Sequence, residues 1–155
     1  MTQIVYGDRI GKTARISVGC AAAIFDESRT KVLLTRRSDN GLWCFPGGGM
    51  DAGESAAEAC IREVWEETGL NVHVTRMIGC YTSPHQIVLY KDGSRIQYVS
   101  LLFEAVMDEG TLRISNETTA FGYFSEAESA TLDVIEDQQT WIPDAFTEQT
   151  ATFVR

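Results

Sequence analysis

Apolar positions along the chain fall into short runs broken by polar turns, with one long helix-forming stretch before its middle. Ile16 to Phe25 is apolar and rich in small residues, as for a buried strand. Lys31 to Thr35 is predicted to be its hairpin partner across Asp26-Glu27-Ser28-Arg29. Ser55-Ala56-Ala57-Glu58 forms a capping box, and Gly69 suits the left-handed residue past a last turn, so a helix over roughly Ala56 to Thr68 is predicted. Val72 to Tyr81 reads as a strand. Gln86-Ile87-Val88-Leu89 and Gln97 to Val106 read as a long hairpin around Asp92-Gly93. Thr119 to Phe124 follows as a further strand and Ser125-Glu126-Ala127-Glu128 as a helix start. The segment from Ile135 to Gln149 holds another helix that Pro143 breaks or starts. The first dozen residues have no clear pattern and are read as an extension that packs on a partner subunit, making a homodimer an expectation.

On the predicted helix, at about 100° per residue, Glu63, Glu66 and Glu67 fall within one narrow arc, while Ala57, Cys60, Ile61 and Val64 share the neighbouring one. One edge packs and the next is crowded with like charge. Carboxylates three and four residues apart cost an isolated helix a few tenths of a kcal/mol per pair. Hard oxygen ligands converging on one spot suit Mg²⁺ or Mn²⁺. Alone, such a run is an ordinary solvated helix face. Its setting changes the reading, because the glycine-rich loop from Phe45 to Glu54 leads directly into the helix and glycine lets backbone approach a ligand or metal closely.

Composition sets the outer limits. The 155 residues, 44% hydrophobic and 23% charged, suit a single domain spanning 1–155, with residues 1–12 as its extension. A net charge of −9 argues against binding a nucleic acid polymer through its phosphates. A small anionic ligand stays compatible if metal ions neutralise it locally. Cys20, Cys44, Cys60 and Cys80 lack zinc-site spacing and read as reduced, mostly buried residues. Neither a signal peptide nor a membrane span is predicted, so a cytoplasmic location is expected.

The run Gly48, five residues, Glu54, seven residues, Arg62-Glu63-Val64-Trp65-Glu66-Glu67-Thr68-Gly69-Leu70 resembles the box of the MutT/Nudix hydrolases, G-x5-E-x7-R-E-U-x-E-E-x-G-U with U aliphatic. Every defined position matches. The resemblance implies an α/β fold, an α/β/α sandwich with a mixed β-sheet. It implies that Glu63, Glu66 and Glu67, with the Gly47 carbonyl, hold Mg²⁺ (or Mn²⁺), and that Glu54 and Arg62 form a salt bridge bracing loop against helix. Gly48 and Gly69 are then structural. The implied activity is metal-assisted cleavage of the pyrophosphate bond of a nucleoside diphosphate linked to another moiety, of the ADP-ribose or sugar-nucleotide type. The alternatives are a MutT-like nucleoside triphosphate pyrophosphohydrolase acting on oxidised or noncanonical nucleotides, and a non-catalytic nucleotide sensor.

Outside the box, Glu117 stands six residues ahead of Tyr123, as does a metal-ligating or basic glutamate in MutT-like members. Either Glu117 or a box glutamate would take the proton from the attacking water. Asp108 and Glu109 are its rivals, read as part of a hairpin turn with Gly110. In Thr35-Arg36-Arg37, the resemblance gives Arg36 the nucleotide contact, and strand alternation turns Arg37 away. Pro84 is placed as in some ADP-ribose pyrophosphatases. His85 reads as a surface residue, and Trp43 and Tyr81 as core aromatics that could stack a base. The interval from Ser38 to Phe45-Pro46 is too short for the coenzyme A pyrophosphatase pattern.

Overall fold

The computed structural model describes residues 2–155. Its larger sheet runs β1 (Gln3–Tyr6), β7 (Gln86–Leu89), β8 (Arg95–Gly110), β2 (Arg15–Ile24) and β5 (Gly47–Gly49). β6 (Leu70–Thr82) also pairs with β8, and β10 (Phe153–Val154) with β6. β8 is long enough to carry β7 and β6 end to end along one edge while β2 runs parallel on the other. A second sheet holds β4 (Trp43–Cys44), β3 (Val32–Arg37) and β9 (Thr118–Phe124). The helices are α1 (Ala56–Thr68), α2 (Glu126–Ser129) and α3 (Gln138–Phe146).

Two cores explain why β2 and β3 read as apolar on both faces. Cys20, Ala22, Ile24 and Leu33 pack with Ala59, Cys60 and Val64 of α1. Their alternating neighbours Ala21, Ala23, Val32 and Leu34 pack with Trp141, Ile142 and Ala145 of α3. Helix, sheet and helix therefore stack as layers, and the sheet mixes parallel and antiparallel pairs. The expected α/β/α sandwich is the observed fold. α1 occupies the predicted span, with both capping-box hydrogen bonds present and Gly69 at φ 77°.

Four expectations need correcting. Lys31 to Thr35 does not pair with β2: beyond a single Phe25↔Val32 bridge, β3 bonds to β4 and β9. Both edges of β2 are taken by β8 and β5. Asp26 closes the intervening turn by accepting the Thr30 and Lys31 N–H groups at 3.0 Å each, which sends the chain into the second sheet. Asp108 and Glu109 lie within β8 rather than on a turn, because pairing with β6 continues to Leu70↔Gly110. Pro143 neither breaks nor starts its helix but sits inside α3. The amino-terminal stretch read as patternless holds a strand, Gln3–Tyr6, antiparallel to β7.

Candidate active site

The glycine loop and α1 meet at one wall of a cavity of about 480 Å³, a volume typical of small-molecule sites. Gly47, Gly48, Gly49, Glu63, Glu66, Glu67 and Glu117 all line it. A side recess of about 190 Å³ is bounded by Glu63, Glu66 and Glu67 on one hand and by Ser115, Asn116 and Glu117 on the other. The structure therefore brings Glu117 to the helical carboxylates. Its loop is tied there by the Thr118 hydroxyl donating to the Glu67 carbonyl at 3.4 Å, the Arg113 N–H donating to the Thr68 carbonyl at 2.9 Å, and the Ser38 N–H donating to the Glu117 carbonyl at 2.9 Å. Asp108 instead meets His73 at 2.7 Å and Glu109 meets Asn71 at 3.3 Å, both at the exposed end of β8.

Within the wall, the carboxylates differ in surroundings. Glu67 is 7% exposed and accepts the Gly47 N–H at 3.1 Å. Burial pushes its carboxyl up to about 7, with the Gly47 hydrogen bond opposing the shift. Glu63 is also raised, by burial first, against the pull of Arg62. Space at this point is tight: a Cβ on Gly48 would come within 2.5 Å of the Glu63 carboxylate. Glu66 is half exposed at the cavity edge.

Arg62 ties loop to helix. Its Nε and Nη2 donate to the two Glu54 oxygens at 2.6 and 3.0 Å, Nη1 to Glu63 at 2.8 Å, and Nη2 also to the Gly49 carbonyl at 2.9 Å. This two-pronged contact holds the Glu54 carboxyl down at about 2.

The arginine pair is reversed relative to expectation. Arg36 is exposed and donates from Nε to the Gly41 carbonyl at 2.9 Å, outside the cavity. Arg37 lines the cavity, its guanidinium held on Asp39 at 2.9 and 2.8 Å. Alternation along β3 holds, but its phase puts Arg37 on the face of Leu33, toward α1, and Arg36 on the face of Val32 and Leu34. Sequence reasoning also passed over Gln138, which lines the cavity and accepts the Phe45 N–H at 2.8 Å, steadying the start of the glycine loop. Tyr81 is buried against Trp141 and Trp43 packs edge-on to Phe124, so neither offers a free face for a base. His85 is on the surface, accepting the Arg9 N–H at 3.0 Å. All four cysteines are free.

Among the described residues, no three acidic, histidine or cysteine groups close around a single point as a metal cage. The donor set nonetheless fits a hard divalent cation. Mg²⁺ keeps several waters and takes one or two protein carboxylates beside substrate phosphates, which calls for an open acidic wall rather than a closed cage. Burial is the first cause of the raised Glu63 and Glu67 carboxyls, and the neighbouring carboxylates, Glu117 among them, add to it.

Comparison with known proteins places this architecture. Residues 14–146 match the NUDIX domain. The chain belongs to the NUDIX family. It is 35% identical over 112 residues to a MutT-like protein of Streptomyces ambofaciens, covering 72% of this chain and 66% of that one. It is 32% identical over 101 residues to an ADP-ribose pyrophosphatase of Methanocaldococcus jannaschii, covering 63% and 56%. The chain thus spans between about half and two thirds of these relatives' lengths. Among solved structures, an ADP-ribose pyrophosphatase from Streptococcus suis superposes with a TM-score of 0.68 at 25% identity, covering 90% of this chain and 98% of that one. A MutT protein from Methanosarcina mazei Go1 superposes at 0.71 with 22% identity over 89% and 98%, a likeness of fold. No helix among the described residues is long and apolar enough to cross a membrane.

Proposed function

We propose that the chain is a metal-dependent pyrophosphohydrolase that cleaves between the two phosphates of a nucleoside diphosphate linked to another moiety, releasing a nucleoside monophosphate and a phosphorylated remainder. The observation that carries this reading is the placement of Glu63, Glu66, Glu67 and Glu117 around one recess of a nucleotide-sized cavity. Glu63, Glu66 and Glu67, with the Gly47 carbonyl, would hold Mg²⁺ or Mn²⁺. Such an ion supplies charge neutralisation at the phosphoryl oxygens and acidifies a water. The protein's own part is to orient and to move protons. Arg62 and Glu54 keep the glycine loop against α1, Arg37 offers a cation to the substrate's phosphates, and Glu117 or a box glutamate accepts the proton of the attacking water.

The relative and the solved structure named as ADP-ribose pyrophosphatases support this substrate class. The MutT-like relative supports a second reading, hydrolysis of an oxidised or noncanonical nucleoside triphosphate. A panel of nucleotides with Mg²⁺ or Mn²⁺ separates them by product. Monophosphate plus a phosphorylated sugar is the expected result. Monophosphate plus pyrophosphate selects the second reading, and nucleotide binding without any product favours a sensor.

A further inference from the structure

The cavity wall contributed by β6 and α3 rests on a buried carboxylate. Asp144 of α3 is 5% exposed, and it accepts the Tyr81 hydroxyl at 3.0 Å, Arg155 Nε at 2.9 Å and Arg155 Nη2 at 3.1 Å. β10 delivers that arginine: Phe153 and Val154 pair with Gly79 and Cys80. The Arg155 N–H then donates to the Cys80 carbonyl at 3.0 Å and its own carbonyl accepts the Thr82 N–H at 2.7 Å. Tyr81 in turn stacks on Trp141, with centroids 4.7 Å apart and planes 18° from parallel. Tyr81, Trp141 and Arg155 all line the cavity.

We propose that Arg155 is a positioning residue for substrate: by neutralising Asp144 it fixes the buried Tyr81–Trp141 pair, which backs the cavity wall where the nucleoside half of the substrate seats. This rests on the reading of the cavity as the nucleotide site. The two partners are unequal. The Arg155 side chain is 53% exposed and that of Asp144 only 8%, so an arginine left alone is solvated by water whereas a carboxylate left alone is stranded. A stranded Asp144 would draw water or rotate away. Either response takes the Tyr81 hydroxyl with it and loosens the aromatic pair. Burial, reinforced by Asp144, raises the Tyr81 phenol above its usual range, so it remains a donor.

The inequality predicts a pattern that a merely stabilising strap does not produce. Arg155→Met, Asp144→Asn and the double variant are compared for KM, kcat and the near-ultraviolet circular dichroism of the stacked aromatics. Arg155→Met should raise KM roughly tenfold with kcat within about twofold and should weaken the aromatic signal, as removing one partner of a buried pair damages the other's surroundings. Asp144→Asn should be mild, since an amide oxygen still accepts the Tyr81 hydroxyl. The double variant should recover most of the lost affinity and signal, because no charge is left to strand. An unchanged KM in Arg155→Met overturns the proposal even if melting temperature falls. A double variant no better than Arg155→Met also overturns it, and points to direct contact between Arg155 and substrate. Absence of turnover in the unaltered chain on the whole nucleotide panel would instead refute the functional reading beneath it.

Discussion

The Gly47 N–H donates to Glu67 Oε2 at 3.1 Å, so the most buried carboxylate of the acidic face is fastened to the glycine loop rather than left to solvent. That contact joins the two halves of the site and exposes the cost of building it.

Glu67 should make the metal-free protein less stable as pH rises. Its carboxyl stands at about 7 in the folded chain against 4.5 in the unfolded one. Between those values the folded state binds the extra proton, so its advantage is fully present below 4.5 and is lost as pH climbs through 7. In chelator at pH 8, Glu67→Gln should be the more stable protein, by up to a few kcal/mol at about 1.4 kcal/mol per pH unit. The same variant should lose on the order of a thousandfold in turnover with metal present. Thermal melts at pH 5 and pH 8 check the first half, and a melt of the variant at or below that of the unaltered protein at pH 8 refutes it.

Arg62→Ala should act through the scaffold. It removes the contacts to Glu54, Glu63 and the Gly49 carbonyl at once, and leaves half-buried carboxylates facing one another. We expect a lower melting temperature together with weaker metal binding by calorimetry. Normal stability with only a raised KM would place Arg62 on the phosphates instead.

For the late glutamate, Glu117→Gln should reduce kcat about a hundredfold or more at saturating Mg²⁺, the usual scale for a general base or ligand. Asp108→Asn and Glu109→Gln should stay near normal, since their partners are His73 and Asn71 at the far end of β8. The reverse ranking would contradict the placement of the loop at 115–117.

Substituting the two arginines separately tests the phase of β3. Arg37→Ala should raise KM for nucleotide by about tenfold or more, as for the loss of a charged hydrogen bond worth about 1.5–3 kcal/mol. Arg36→Ala, which frees only the exposed contact to the Gly41 carbonyl, should leave KM unchanged. Equal effects from both would show that neither is selected by the cavity.

The parts of this molecule legible from sequence are those fixed by neighbours in the chain. α1 was readable end to end because Ser55, Glu58 and Gly69 supply its boundaries locally, and the acidic arc follows from helical geometry. Partner choice is not local. Nothing between Ile16 and Thr35 tells β2 that its edges belong to β8 and β5, so the hairpin suggested by proximity was the wrong pairing. Asp108 and Glu109 were misplaced for the same reason, since the length of β8 is set by β6 across from it. Arg37 was missed through phase alone: Val32, Leu33 and Leu34 are apolar on both faces of β3, so which face meets α1 depends on the layers being assembled. Pro143 was misjudged because packing of Trp141, Ile142 and Ala145 into the core holds α3 together across a residue that lacks an N–H.

The parallel ladder from Arg15↔Ile96 to Ile24↔Ala105 also bears on how the site comes into being. Every box residue has been synthesised by Leu70, yet β8, which takes the other edge of the strand against which β5 and its glycines lie, begins only at Arg95. Contacts of such sequence separation form late and slowly. The motif is thus complete as text well before it can be complete as an object. A fragment ending near Leu70 would carry the whole box and should bind metal no better than any acidic peptide.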